Sequence, residues 1–124
     1  MERALRYEFK QVFPNIEMYP TNAPKDAKAP FFIYFRNSTS WDKTLDGFTK
    51  HEEINYIINI FGQTYENMLG IRERVEQILR DMLHSHVGKN EDILIKDLEL
   101  NDVGEIYEFS LGLYRGIIDF TIYI

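Results

Sequence analysis

Between Ile54 and Phe61 every second residue is large and apolar (Ile54, Tyr56, Ile58, Ile60), while Asn55 and Asn59 alternate with Ile57 and Phe61 in between. A period of two marks a strand with one heavily buried face. Gly62-Gln63 then turns the chain. Thr64 is placed to cap a helix, since its hydroxyl can accept one of the unpaired N–H groups of a first turn. Beyond it the apolar residues step by three and four, at Met68, Ile71, Val75, Ile78, Leu79 and Met82. Such spacing lays one stripe along one helix face, with Glu66, Arg72, Glu73, Glu76, Arg80 and Asp81 on the other. Residues 53–86 therefore predict a strand feeding one long helix. About twenty helical residues span about 30 Å, the width of a small domain.

The remaining elements have to pack on this pair. Leu5, Phe9, Val12 and Phe13 predict a short amphipathic helix over residues 2–13, stopped by Pro14 because proline disfavours helix at the residue before it. Ile16–Tyr19 predicts a short strand, followed by a proline-punctuated polar loop over residues 20–30. Phe31–Arg36 is an aromatic-rich strand running on through Trp41, and Asp46-Gly47 signals a hairpin turn. Residues 31–61 thus predict one long hairpin with an apolar base and a polar, projecting tip at 38–50. After a turn at 87–90, Ile93–Leu100 predicts a strand with Leu94, Leu98 and Leu100 on one face and Lys96 breaking it. Asn101–Glu105 predicts a loop. The stretch from Ile106 to Ile124 predicts extended chain, ending in a strand with Ile118, Phe120, Ile122 and Ile124 inward.

The order is α-β-β-β-α-β-β. Two amphipathic helices are buried most simply on one face of a mixed, mainly antiparallel five-stranded sheet, an α+β fold spanning residues 1–124 as one domain. One feature argues against a monomer. The positions assigned to the other sheet face (Phe32 and Tyr34, Ile57 and Phe61, Ile117 and Tyr123) are apolar or aromatic as well. Apolar surface of that extent marks a protein–protein contact, and predicts a homo-oligomer or a sheet continued across subunits.

Composition narrows the function. With 44% hydrophobic and 15% aromatic residues the 124-residue chain can bury a core without staples, and it has no cysteine for disulfides, thiolate metal sites or cysteine catalysis. The formal charge is −6 and no basic patch is evident, which argues against phosphate-backbone binding. No apolar run is long enough to span a bilayer, and the segment Met1–Arg6 lacks the apolar core of a signal peptide, so an intracellular protein is expected.

Candidate chemistry is sparse. His84 and His86 could chelate a metal from a strand, but at a helix end they are explained by the helix dipole, and no carboxylate stands in local register, so no metal site is assigned. Glu52-Glu53, Asp97, Glu99, Asp102, Glu105 and Glu108 read as an acidic solvated edge rather than an acid–base pair. Phosphate-loop, dinucleotide, nucleophile-elbow and zinc-protease motifs are all missing. Tyr107, Phe109, Tyr114, Phe120 and Tyr123 lack interleaved basic residues apart from Arg115, which favours core packing or a protein interface over base stacking. No catalytic, cofactor or metal residue is assigned. Trp41, Asp46, Phe48 and Arg115 are the candidate contacts for a partner or a second copy.

Several stretches taken together resemble phage tail terminator and tail-completion (head–tail joining) proteins of long-tailed phages. These are Ala29-Pro30-Phe31-Phe32-Ile33-Tyr34, the tip Thr44-Leu45-Asp46-Gly47, the strand-to-helix passage Ile58–Glu66 with a helix ending near Leu83, and the closing strand Tyr114–Ile122. The resemblance covers the whole chain in element order. It implies a non-enzymatic structural role: a ring, commonly hexameric, at the head-proximal end of the tail in the virion, assembled in the cytoplasm of the bacterial host. The implied partners are other copies of the chain, the tail tube protein and the head-completion or connector protein, with DNA only passing through the lumen, no membrane and no cofactor. A neck or head-completion protein of the same particle, a small protein-binding module, and an enzyme using the acidic stretch 97–108 or the His pair remain open alternatives.

Overall fold

A computed structural model describes residues 1–124. The elements follow as α1 (Glu2–Val12), β1 (Glu17–Pro20), β2 (Phe31–Thr44), β3 (Gly47–Gly62), α2 (Tyr65–Met82), β4 (His86–Val87), β5 (Ile93–Leu94), β6 (Asp97–Glu108) and β7 (Leu113–Tyr123). Strands β1-β2-β3-β7-β6 form one five-stranded sheet, and β4-β5 a separate two-stranded one. Only β1 and β2 run parallel; every other pair is antiparallel. This is the expected α+β fold with both helices on one face of a mixed sheet.

The core follows the alternation read from the central strand. Ile54, Tyr56, Ile58 and Ile60 are fully buried, as are Ile118, Phe120 and Ile122 beside them on β7. All six residues of the α2 stripe are buried against them. Each large side chain taken from water in this way contributes about 1.5–3 kcal/mol. Thr64 caps α2, its hydroxyl accepting from the Asn67 N–H at 3.1 Å. From α1, Leu5 and Phe9 enter the same core, and Phe9 and Phe13 pack edge-on against Phe32 at 5.7 and 5.2 Å between ring centres.

Those contacts correct one expectation. Phe32 and Tyr34 face the helices, not the opposite side of the sheet. The register pairs Phe32 with Ile60 and Tyr34 with Ile58, and directly paired residues share a face. The residues on the opposite side are Phe31, Ile33 and Phe35. A one-residue offset in reading a run of consecutive aromatics moves every side chain across the sheet.

The C-terminal half departs further. The predicted strand Ile93–Leu100 is two strands of different sheets. Ile95, between them, is fully buried; its N–H donates to Ser85 O and the Lys96 N–H to Tyr123 O. Leu94 is consequently exposed and does not share a face with Leu98 and Leu100. The predicted loop Asn101–Glu105 is the middle of β6, and only Asn101 leaves the ladder, as the extra residue of a bulge between Leu100 and Asp102. The extended run from Ile106 is interrupted by the turn 109–112, with Gly112 at φ 65°. Helix α2 stops at Met82. His84 takes a left-handed φ of 63° beyond it, and His86 lies in β4, where its Nδ1 is 2.9 Å from an Asp92 carboxylate oxygen.

Candidate interaction surface

The helix-free face of the sheet is built by the positions between the core residues: Phe31, Ile33 and Phe35 on β2; Asn55, Ile57, Asn59 and Phe61 on β3; Ile117, Asp119, Thr121 and Tyr123 on β7. Phe31 stacks on Phe61 with ring centres 4.8 Å apart, whereas Ile33, Phe35, Ile57 and Ile117 are only half-buried. A band of hydrogen-bonded polar side chains crosses this face. Asn37, the extra residue of a bulge in β2, donates to Asn55 Oδ1 at 2.9 Å. Asn55 Nδ2 donates to Asp119 Oδ1 at 2.6 Å and to the Phe120 carbonyl at 3.0 Å. Asn101 Nδ2, at the β6 bulge, donates to Thr121 Oγ1 at 2.7 Å and Asp119 Oδ1 at 3.2 Å. Apolar surface lies to one side of the band, toward Phe31 and Phe61. Carboxylates gather on the other, at Glu53, Asp97 and Glu99.

At the acidic end the sheet narrows. Strand β7 pairs with β3 as far as Glu53–Tyr123, and Ile124 adds two backbone hydrogen bonds to Glu52. Beyond the pair Trp41–Glu52, β2 and β3 continue alone to the turn at Asp46-Gly47, where Gly47 adopts the positive φ of 117° that the turn requires. This two-stranded ribbon extends roughly 15 Å at the usual strand rise. Leu45 at its tip is fully exposed, Phe48 is 72% exposed and Trp41 56%, with Lys43 Nζ 5.5 Å from the Phe48 ring centre. Lys96 contacts His51 at its root.

At the other end, the turn 109–112 lies level with Phe61 and Gly62, because β6 and β7 pair through Glu108–Leu113 and β7 pairs with β3 through Gly62–Tyr114. Phe109 is 89% and Leu111 59% exposed there. Between this turn and the loop 21–30 lies a groove of about 530 Å³ on the helix-free face, floored by Phe31, Ile33, Phe61 and Leu113.

Three of the four candidate contacts, Trp41, Asp46 and Phe48, lie on the ribbon and are exposed. Arg115 stands apart from them, on β7 near the groove end. Its guanidinium is held by Glu108 at 2.7 Å, and the side chain is only 31% exposed. Phe109, one of the aromatics that favour core packing or a protein interface, stands on the surface here, whereas Leu111, an isolated apolar residue in a turn, carries no periodic signal. Their position after an edge strand rich in carboxylates becomes informative only once β6 is seen to reach Glu108.

Ionisable groups elsewhere serve structure. Burial pushes the Glu2 carboxyl up, but the Arg36 guanidinium (2.6 and 2.7 Å) and the Tyr56 hydroxyl (2.8 Å) outweigh it and bring its pKa down to about 2. Burial, reinforced by Glu2, pushes the Tyr56 hydroxyl well up. On the α2 side Glu105 accepts from Tyr65 at 2.9 Å and Arg72 at 2.9 Å, and the Tyr65 hydroxyl is raised by that carboxylate. No three His, Asp or Glu side chains converge where a metal ion could sit, and no helix is long and apolar enough to cross a membrane.

The fold class is shared with a solved virion chain. No protein-family model matches this sequence, and no curated protein matches it. Among solved structures, a chain from "Virion of native gene transfer agent (GTA) particle" superposes with a TM-score of 0.66 over 99% of this chain and 92% of that one, at 8% sequence identity. The likeness is one of fold, nearly end to end in both chains.

Proposed function

We propose that this protein is a structural, non-enzymatic component of a phage-like virion: a tail terminator that caps the tail tube and joins tail to head as a homo-oligomeric ring, hexameric as in the family it resembles. The observation that carries the reading is the superposition on a gene transfer agent virion chain over 99% of the sequence. The half-buried apolar face and the two exposed apolar ends fit a subunit completed by neighbours. Self-association through unlike surfaces forms a ring without a free end where the rotation between copies closes. The tail tube protein and the head-completion or connector protein are the further partners, and DNA passes through the lumen without being read. The protein works at the head-proximal end of the tail, after assembly in the host cytoplasm.

Light scattering on the protein alone and with purified tail tubes tests this. A particle of about six copies, or a monomer that becomes one on tube ends, is the expected result. A monomer under both conditions with no affinity for tubes overturns it. Binding to the head connector with none to the tube would move the protein to the neck of the same particle.

A further inference from the structure

The two exposed apolar ends differ in kind, and each presents charges that the other can pair. The groove is concave and walled by the loop 21–30, where Lys25 and Lys28 line it; both are exposed, and neither is in an ion pair. Asp26, between them, is not part of the lining. The ribbon is convex. Its exposed Asp42 and Asp46 are likewise free of ion pairs and flank the fully exposed Leu45, while its Lys43 is drawn over the Phe48 ring and its Lys50 stands back toward the root, near the pair Trp41–Glu52. Strand β2 runs from one end to the other, from Phe31 in the groove to Thr44 at the tip, about 40 Å of extended chain. Intramolecular contact between the two is therefore impossible, and the complementary surface has to come from another molecule.

We infer that the ribbon tip of one copy docks in the groove of the next, Leu45 and Phe48 entering against Ile33, Leu111 and Leu113 above the buried Phe31–Phe61 pair while Asp42 and Asp46 meet Lys25 and Lys28. The occupant is a second copy of this chain, and the inference rests on the ring reading above. The contact is heterologous, because donor and acceptor surfaces lie on opposite ends, which is the type of contact that propagates and can close. Apolar burial supplies the affinity, and the flanking charges set direction and register.

Charge exchange tests the inference on the full chain. One variant carries Asp42→Lys with Asp46→Lys, the other Lys25→Asp with Lys28→Asp. All four positions are exposed, so the fold is not at risk, and circular dichroism checks it. Each variant alone should need at least tenfold more protein to assemble in sedimentation velocity, and Leu45→Glu should weaken assembly similarly. An equimolar mixture of the two charge variants should assemble at the wild-type concentration, because each altered ribbon then meets an altered groove. Wild-type-like assembly of both variants, with the wild type itself oligomeric, overturns this contact and leaves the ring reading standing. A ribbon variant that assembles normally but no longer binds tail tubes also overturns it, and assigns the ribbon to the tube protein instead. A wild type that is monomeric with and without tubes removes the ring reading and this inference together.

Discussion

Asn55 on β3 and Asp119 on β7 are joined across the helix-free face by a 2.6 Å hydrogen bond from Nδ2 to Oδ1. Two of the sheet's three bulges stand on either side of this pair, Asn37 in β2 and Asn101 in β6, and each turns its amide toward it. Four strands are thereby laced together at one level by side chains. This lacing also divides the face, so that apolar surface is confined to the groove end. A charge-assisted bond of this kind is worth about 1.5–3 kcal/mol in favourable settings. We expect Asn55→Ala and Asp119→Ala each to cost about 1–2 kcal/mol, with a coupling of about 1 kcal/mol between them. Urea denaturation of both single variants and the double variant measures it; additive losses would mean that the pair stabilises nothing jointly.

The link between helix and sheet is pH-dependent. Glu2 titrates at about 2 in the folded chain, below its ordinary 4.5, so its contribution is complete above about pH 4.5 and fades as pH falls through 2. The full shift corresponds to about 3 kcal/mol, but the side chain is 39% exposed, so solvent screening reduces the expected contribution to about 1 kcal/mol. Glu2→Gln should therefore be less stable than wild type by that amount at pH 7, with the gap closing toward pH 2. A constant gap across this range would assign the loss to packing rather than charge.

Two glycines make opposite predictions. A Cβ on Gly62 would lie 2.8 Å from the Met68 backbone nitrogen and 2.9 Å from its Cα, so the strand would have to move away from the helix. Gly62→Ala should cost about 1–3 kcal/mol. Gly70, on the exposed side of α2, meets nothing within 4 Å, and Gly70→Ala should stabilise by about 0.5–1 kcal/mol through helix propensity. Thermal melting of the two variants should move in opposite directions. A stabilised Gly62→Ala would show that β3 and α2 can separate at no cost.

Assembly and stability should separate on the helix-free face. Ile57 and Ile117 are half-buried there, beside the apolar end of the face, and contribute little to the core cluster. Ile117→Glu should leave the chain folded, at a cost of about 1 kcal/mol or less, while lowering self-association at least tenfold. Ile118→Glu, one residue on, should fail to fold, since Ile118 is fully buried. Equal folding defects in both would make this face part of the core and not an interface.

The central elements were legible in the chain because their signals are local. The alternation at 54–60, the stripe at 68–82 and the Thr64 cap each depend on residues within one strand or one helix, and the structure buries or pairs every one of them. The C-terminal half was less legible. The run 93–100 carries strand propensity throughout, and nothing local says that Ile95 crosses from one sheet to another. Asn101–Glu105 has the composition of a loop, yet β7 supplies the hydrogen bonds that hold it as strand. Asn101 itself has the composition of a loop residue and is a bulge whose amide completes the polar band.

What the sequence by itself determined is which residues are apolar, at what period, and hence the number and kind of the main elements and the helix-packed face of the sheet. Tertiary structure alone decided which face Phe31–Phe35 present, because a run of consecutive aromatics has no alternation and takes its facing from the partner strand. It alone also decided that the loop 21–30 and the turn 109–112 flank the base of the hairpin and wall a groove there. That juxtaposition is a product of strand register, a relation between residues distant in the chain, and no local pattern encodes it.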